Sequence, residues 1–425
     1  MIGVVADDIT GASDIGVLFT KQGYRVVMLS NLRKSMSVNW GGDRPDVIIV
    51  DTDSRLMERR DVYRVTRSAA QWLKEQGCEQ FFGKICSVFR GHVGAVFDAL
   101  LDELAEEFAV VVLGFPKNGR TTVNGVHYVH GEKLEQSGFR NDPVHPMTQS
   151  HLPSLLQQQT DRKVGAIDYR CVHKGAKALR DRILRERRRF NYVIVDVAAQ
   201  EDLKVIAEVV SNLPVICGSS AIAEEYPPLG RSRKADPSRL SQGRGVLGVA
   251  GSLTPQTKSQ IAFLKNLGEH TLELDTALMV VSPPDYERHK AELVRHCCEL
   301  LEDDRLVMVF ASNTRHALTA TLTAARQKGI SDLEIFRTVS SELASVGTAI
   351  IKQSGVRRLL VAGGDTSAQV CRGLGISQLE IVREIEPGVP LMLSTGGLMA
   401  GMVLKSGSFG SEDFFCTAAA ALRAL

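Results

Sequence analysis

The chain lacks an excess of charge of either sign. Its 51 lysines and arginines against 49 aspartates and glutamates leave a net charge of +2 over 425 residues. Proteins whose main ligand is nucleic acid or an anionic membrane carry an excess of lysine and arginine, so this balance argues against both classes of protein. Any anionic ligand is therefore expected to be small and bound locally.

Cysteines and long apolar runs are also scarce. Eight cysteines in 425 residues are too few for a disulfide framework, and no pair has the C-x-x-C spacing of a zinc or redox site. No segment approaches the ~18 apolar residues of a membrane-spanning helix. The first residues, MIGVVADD, carry two carboxylates where a secretory signal peptide has a basic start. These absences predict a cytoplasmic protein with reduced thiols.

What the sequence does contain is an alternation of short apolar runs with helical segments. Runs such as DVIIVD and YVIVDV are typical of strands buried on both faces of a parallel sheet, with helices as crossovers. The length is about three times the ~150-residue prior for one domain. The segment 227–245 is rich in Pro, Gly, Ser and Arg and is the best candidate linker. We expect two doubly wound α/β domains, 1–226 and 246–425, with mainly parallel sheets and an active-site cleft between them.

In the first predicted domain, polar side chains follow strands at the sheet edge where ligands of α/β proteins bind. Asp7 and Asp8 come directly after the run IGVVA. Such a pair can take a proton from a hydroxyl or hold a metal, and the alternative is that one of the two caps the next helix. Arg55, in the turn DTDSR, can hold a carboxylate in two hydrogen bonds. A solvated turn would explain the same residues.

Two more segments of this domain have unusual composition. Ser87, Arg90 and Gly91 lie in KICSVFRG, where backbone N–H groups and the arginine can form a small anion site, or where the chain simply enters a helix. The polar stretch 115–147 is too long for a connection and is typical of a functional loop. Histidines fall inside or beside it, but their spacings match no zinc site that we can defend.

In the second predicted domain, three turns indicate a phosphate site. AGGDTS follows the run RLLV; its two glycines let the backbone approach a phosphate, and Asp365 can orient Mg²⁺ or a water. Ser252, in GSLTPQT, suits a phosphate at a helix N-terminus or belongs to an ordinary cap. Gly407 lies in LKSGSFG, where Lys405 either reaches a phosphate or is a surface lysine. No GxxxxGK[ST] occurs, which argues against a Walker-type NTPase.

Together these motifs resemble the four-carbon acid sugar kinase family over essentially the whole chain. The likeness rests on ADDITGASD, FPKNGRTTVNGVHYVHG, DPVHPMTQSHLPSLL, GSLTPQT, AGGDTSAQV and LKSGSFGSEDFF. It implies an N-terminal domain that binds the acid sugar and a C-terminal domain that binds ATP. It also implies transfer of the γ-phosphoryl group to the terminal hydroxyl of threonate, erythronate or 3-oxo-tetronate.

The resemblance can be carried over position by position. For the kinase reaction that it implies, our hypothesis is that Asp8 is the general base, with Asp7 or Asp365 as alternatives, and that Mg²⁺ bridges the ATP phosphates. Arg55 and Arg90 would hold the substrate carboxylate. The implied substrate-binding residues are Asp8, Arg55, Ser87, Arg90 and Gly91, and the implied ATP-binding residues are Ser252, Gly363, Gly364, Asp365, Thr366 and Gly407.

Three motifs depart from the family pattern: Asp365 stands where Glu is most frequent, Ser408 stands where Asn is usual, and the motif around Ser87 differs most. Many members read KxDSTxRG, or CSTFDST in the oxo-acid branch, whereas KICSVFRG has Cys86 and Val88 where the first pattern has Asp and Thr. Arg90 and Ser87 survive, so anion binding is expected to persist while the positions that read hydroxyls have changed. The identity of the sugar acid is therefore open.

Two other functions fit the same architecture. A sugar-acid dehydrogenase or isomerase would need a dinucleotide fingerprint after a strand, and the only GxGxxG spacing, Gly243 to Gly248, precedes its strand. A non-catalytic, two-lobed sugar-acid-binding protein would normally be exported. We expect instead an ATP-dependent phosphotransferase with a small-molecule acceptor, without nucleic-acid or membrane partners. Whether it forms a homodimer is left open.

Overall fold

The structure is a computed structural model that describes residues 1–30, 38, 40, 44–142, 144–229 and 243–425. The chain divides into two compact units, with the division between Lys234 and Ala235. That point falls within the predicted linker 227–245, of which residues 230–242 lie outside the described residues.

The N-terminal unit alternates strands and helices along the chain, as the apolar runs predict. Its strands are β1 (Ile2–Ala6), β2 (Val26–Ser30), β3 (Val47–Asp51), β4 (Gln80–Lys84), β5 (Ala109–Val112), β6 (Arg120–Val123), β7 (Val126–Val129), β8 (Glu132–Lys133), β9 (Val164–Ile167), β10 (Tyr192–Val195) and β11 (Val215–Gly218). Its helices are α1 (Ile9–Lys21), α2 (Arg59–Glu75), α3 (Val93–Leu104), α4 (Leu152–Gln157), α5 (Tyr169–Val172), α6 (Ala176–Glu186) and α7 (Gln200–Val210). Short 3-10 helices cover Pro116–Asn118, Leu134–Gln136, Gly138–Asn141 and Ser220–Glu225.

The main sheet of this unit is parallel and has the order β2-β3-β1-β4-β11-β5-β10-β9. β1 lies inside the sheet, and all five of its residues are buried. Ala6, its last residue, is in register with Asp51 of β3 and Lys84 of β4. The turns after these three strands therefore start from one edge, which is where sequence reasoning placed the polar motifs.

The segment 115–147 differs from the expected long loop. Within it, β6, β7 and β8 pair as a small antiparallel sheet. The alternation of buried and partly exposed residues along β6 and β7 is that of a sheet with one covered face. The polar composition of the segment reflects the exposed face of that sheet and its tight glycine turns.

The C-terminal unit has the same alternation with a different ending. Its strands are β12 (Val246–Ala250), β13 (His270–Leu274), β14 (Leu306–Ala311), β15 (Arg358–Ala362), β16 (Gln378–Glu386), β17 (Val389–Gly396) and β18 (Gly401–Lys405). Its helices are α8 (Pro255–Asn266), α9 (Thr276–Val281), α10 (Pro283–Glu302), α11 (Arg315–Gln327), α12 (Asp332–Ser354), α13 (Gly364–Gly373) and α14 (Phe414–Arg423).

The strands of this unit run in the order β13-β14-β12-β15-β18-β17-β16. The first five are parallel, whereas β17 is antiparallel to both β18 and β16. Ala250, Ala362 and Lys405 end neighbouring strands in register, so the three predicted phosphate turns start from one sheet edge. Among the described residues, no helix is both long enough and apolar enough to cross a membrane.

Candidate active site

At the carboxyl end of β1, two aspartates share one arginine. Arg55 donates to Asp7 from Nε (2.9 Å) and Nη2 (2.7 Å), and to Asp8 from Nη1 (2.7 Å) and Nη2 (2.8 Å). Asp8 also accepts hydrogen bonds from the backbone N–H of Gly11 and the hydroxyl of Thr10, each at 2.8 Å. Asp8 therefore caps α1, as the alternative interpretation predicted, and it does so while paired with Arg55.

The charges around Asp8 keep it ionised. Burial opposes ionisation of this carboxyl, but Arg55, Lys84 and the hydrogen bonds from Thr10 and Gly11 outweigh it, and the pKa of Asp8 is lowered. Lys84 is itself buried and its Nζ donates to the carbonyl of Ile85 at 3.1 Å. Sequence reasoning assigned no role to Lys84, although its position as the last residue of β4, opposite Ala6, could have marked it.

The turn after β4 is tied to this centre through a second arginine. Arg90 donates from Nη1 to Asp142 at 2.7 Å and from Nε to the sulfur of Cys86 at 3.4 Å. Burial opposes ionisation of Cys86, but Arg90 and Arg55 outweigh it and lower the pKa of the thiol. The Nε2 of His145 donates to the carbonyl of Arg55 at 2.8 Å, so the loop that carries Asp142 also contacts the Arg55 turn.

Gly91 lies against the same arginine. Its φ is +98°, and a Cβ atom there would come within 3.8 Å of Cγ of Arg55. Of the predicted substrate residues, Asp8, Arg55, Arg90 and Gly91 are thus brought together. Ser87 lies in the turn between Cys86 and Arg90, and its side chain makes no hydrogen bond within the part of the chain that the structure describes.

A buried polar cluster lies beside this centre, and sequence reasoning gave it no function. Asp14, on α1, accepts a hydrogen bond from the hydroxyl of Ser220, while its Oδ1 has no partner among the described residues. Burial raises the pKa of Asp14 to about 6, against the charges of Lys84 and Arg120 and the hydrogen bond from Ser220. The two serines directly after β11, Ser219 and Ser220, could have identified this position, because they follow the apolar run PVICG at the same sheet edge.

In the C-terminal unit, the predicted nucleotide residues converge on the start of α13. Gly363 is the N-cap residue with φ +120°, and a Cβ atom there would lie 3.3 Å from both the backbone N of Ser252 and Oγ1 of Thr366. A Cβ atom on Gly407 would collide with the hydroxyl of Ser252. Three strand-end turns thus meet so closely that only glycine fits at two positions. This glycine-lined helix N-terminus is a favourable site for a phosphate group.

Lys405 is neither a surface residue nor directed outward to a ligand. It is fully buried, and its Nζ donates to the carbonyls of Ser406 (3.0 Å), Gly407 (3.1 Å) and Phe409 (3.1 Å) and contacts Oγ1 of Thr257 at 3.2 Å. Burial lowers the pKa of this lysine to about 7. The interpretation of Lys405 as a surface lysine was therefore wrong, and its N–H groups hold the glycine turn from inside.

The structure limits how a divalent cation could be held. Among the described residues, no group of three or more His, Cys, Asp or Glu side chains is close enough to bind a metal ion. Asp365 lies in the first turn of α13 and is partly exposed. A single carboxylate at a phosphate site fits Mg²⁺, which usually binds one or two carboxylates together with substrate phosphates rather than an all-protein cage.

Comparison with known proteins assigns a description to each unit. The model of a sugar-binding N-terminal domain matches residues 2–226, and that of a nucleotide-binding C-terminal domain matches residues 247–415. A curated 3-oxo-tetronate kinase of Pseudomonas savastanoi pv. phaseolicola is 32% identical over 98% of this chain and 96% of its own. Another, of Burkholderia multivorans, is 33% identical over 99% and 97%.

Solved structures give the same picture of the fold. A Haemophilus influenzae protein, assigned to a domain family of unknown function, superposes with a TM-score of 0.74 at 31% identity and covers 98% of each chain. A Salmonella typhimurium LT2 protein, solved under a tRNA synthase name, has a TM-score of 0.84 at 29% identity over 99% of each chain.

Proposed function

Because the chain belongs to the four-carbon acid sugar kinase family, we propose that it transfers the γ-phosphoryl group of ATP to the terminal hydroxyl of a 3-oxo-tetronate-type acid. The observation that carries this proposal is similarity over nearly the whole chain to several proteins named 3-oxo-tetronate kinase. The glycine-lined start of α13 and the carboxylate–arginine centre at the end of β1 supply the two kinds of site that such a reaction needs.

Phosphoryl transfer asks the protein mainly to position its substrates and to stabilise charge. Asp8 accepts the proton of the terminal hydroxyl. It is the more accessible of the two aspartates, with a side chain 13% exposed against 5% for Asp7. Its lowered pKa makes it a weak base, which suffices because the loose transition state demands little proton removal before the phosphoryl group is transferred. Arg55 orients both carboxylates.

The remaining predicted residues are assigned by their place at the two sheet edges. Ser87, Arg90 and Gly91 contact the acid substrate. Backbone groups at the start of α13, together with Ser252 and the Gly407 turn, hold the ATP phosphates. Mg²⁺ would be held by Asp365 and the phosphates, where it would neutralise charge on the transferred group.

The base assignment is tested by comparing two aspartate variants. Asp8→Asn should lower kcat about 100-fold or more in an assay of ADP release with 3-oxo-tetronates. Its fold should survive because asparagine caps helices as well as aspartate does. Asp61→Asn, on the half-exposed start of α2, is the matched control. Near-normal turnover of Asp8→Asn, with a large loss in Asp7→Asn, would transfer the role to Asp7, which also accepts two hydrogen bonds from Arg55.

The substrate assignment is tested with the unaltered protein. ADP release should depend on a 3-oxo-tetronate and be slower with threonates, erythronates and longer aldonates. Mg-ATP alone should raise the melting temperature, because any ligand that binds only the folded state stabilises it. Absence of ADP release with every four-carbon acid would refute the proposed reaction.

A further inference from the structure

We propose that Arg120 is the cation that binds the carboxylate group of the acid substrate. The proposal rests on the proposed kinase function and adds to it a residue for which the sequence motifs gave no role. It follows from how the three arginines of the N-terminal unit's site are occupied in the structure.

The two arginines expected to hold the carboxylate are already paired. Arg55 directs its Nε and both terminal nitrogens at Asp7 and Asp8, with four contacts of 2.7 to 2.9 Å. Arg90 is paired with Asp142 and with the sulfur of Cys86. A substrate carboxylate would have to displace an aspartate from Arg55 and would have to share Arg90 with Asp142. Their simplest role is therefore to fix the acidic groups of the site.

Arg120 is in the opposite situation. It is only 7% exposed, its Nη1 donates to the carbonyl of Asn118 at 2.9 Å, and its Nε has no partner among the described residues. Burial lowers its pKa, and the charges of Cys86 and Asp14 only partly offset that effect. A buried guanidinium without a carboxylate partner is costly, since its lost hydration is not replaced. An anionic ligand would supply the missing partner.

The groups around Arg120 are incompletely satisfied in the same way. Asn118, whose carbonyl binds Arg120, has an amide nitrogen that is buried without a partner. Oδ1 of Asp14 is also unpaired, and the charge of Asp14 acts on Arg120. The buried hydroxyl of Ser219, next to the Ser220 that binds Asp14, also has no partner in the described parts of the chain. An unpaired donor on Asn118, which binds Arg120, and an unpaired acceptor on Asp14 suit a ligand that carries a carboxylate beside a hydroxyl group.

The backbone holds Arg120 rigidly enough to select a ligand. Phe115 and Arg120 exchange backbone hydrogen bonds of 2.7 and 3.0 Å, which closes the turn between β5 and β6. Gly119 in that turn has φ +68°, and a Cβ atom there would collide with the ring of His130. Placement on a closed turn limits the freedom of the side chain before the ligand arrives, which favours tight and selective binding.

The test compares two substrates that differ only in the carboxylate. Erythrulose has the ketone and terminal hydroxyl of 3-oxo-tetronate, with a neutral hydroxymethyl group in place of the acid. Arg120→Met should raise KM for 3-oxo-tetronate about 100-fold or more, as expected for a buried charge pair that loses one partner. It should leave kcat/KM for erythrulose unchanged. Arg120→Lys should recover part of the acid affinity, and Arg140→Met, on the exposed side of the same segment, should have no effect.

Stability separates a ligand-binding role from a structural one. Because Arg120 forms no ion pair with a described carboxylate, Arg120→Met should melt at the same temperature as the unaltered protein or higher, while losing the thermal shift caused by 3-oxo-tetronate. A structural arginine would show a lower melting temperature and equal losses on both substrates, and that pattern would overturn the proposal. So would an unchanged KM for the acid. If the unaltered protein neither binds nor phosphorylates the acid, the proposed kinase function itself is refuted. That failure is distinguishable from a failure of the Arg120 proposal, because it is seen without any variant.

Discussion

Asp14 should make the N-terminal unit less stable as the pH rises, and Asp14→Asn should remove that dependence. Burial raises the pKa of this carboxyl from its ordinary value of 3.8 to about 6. In the unfolded chain the group loses its proton near pH 4, whereas in the folded protein it keeps the proton to about pH 6. The folded state therefore binds more protons between these values, and stability falls as the pH rises through that window.

The expected magnitude follows from the size of the shift. A raised pKa of about two pH units corresponds to about 3 kcal/mol at ~1.4 kcal/mol per unit. No correction for solvent screening is needed because Asp14 is 5% exposed. Asparagine keeps the shape of the side chain and an oxygen that can accept from Ser220, but it stays neutral. Relative to the unaltered protein, Asp14→Asn should gain stability from pH 4 to pH 7, by an amount that approaches this value.

The chain offers a convenient probe for this measurement. Both of its tryptophans, Trp40 and Trp72, belong to the N-terminal unit, so fluorescence in urea follows the unfolding of that unit. Urea titrations at pH values from 4 to 8 give the free energy of unfolding of the variant and of the unaltered protein. The titration of all other groups cancels in the difference between the two. For Asp181→Asn, exposed on α6, the difference in the free energy of unfolding should not change with pH. A difference that is also flat for Asp14→Asn would refute the reasoning.

Two further predictions concern the nucleotide site. Gly363→Ala should weaken Mg-ATP binding about tenfold or more in calorimetric titration. Alanine is strained at φ +120°, and its Cβ would crowd the backbone N of Ser252. The control variant Gly268→Ala, at a position with a positive φ but open space around it, should bind Mg-ATP normally. Lys405→Met should also weaken Mg-ATP binding and lower the melting temperature, because three partly buried carbonyls of the turn lose their donor. Equal ATP affinity in Lys405→Met would show that the Gly407 turn does not need this support.

Much of the site could be predicted from the sequence because of one property of parallel sheets. Their strands all end at the same edge, so polar residues that directly follow apolar runs are brought close together without knowledge of the strand order. That rule located Asp7, Asp8 and Arg55 in one unit and Gly363 and Gly407 in the other. The small antiparallel sheet of β6, β7 and β8 was missed, because its short strands carry too few apolar residues for a periodicity argument.

The sequence by itself thus determined the fold class, the strand-end turns and the chemical character of their residues, since these depend on neighbours along the chain. Only the tertiary structure decided which partner each charged side chain meets. Asp14 and Ser220 are 206 positions apart, and Arg55 reaches Asp7 across 48. Lys405 was directed inward, Arg55 was paired with two aspartates, and Arg120 was buried without a carboxylate from any described residue. Each of these outcomes depends on packing between distant segments, because burial and long-range pairing set the energy of a charge and have no local pattern in the sequence.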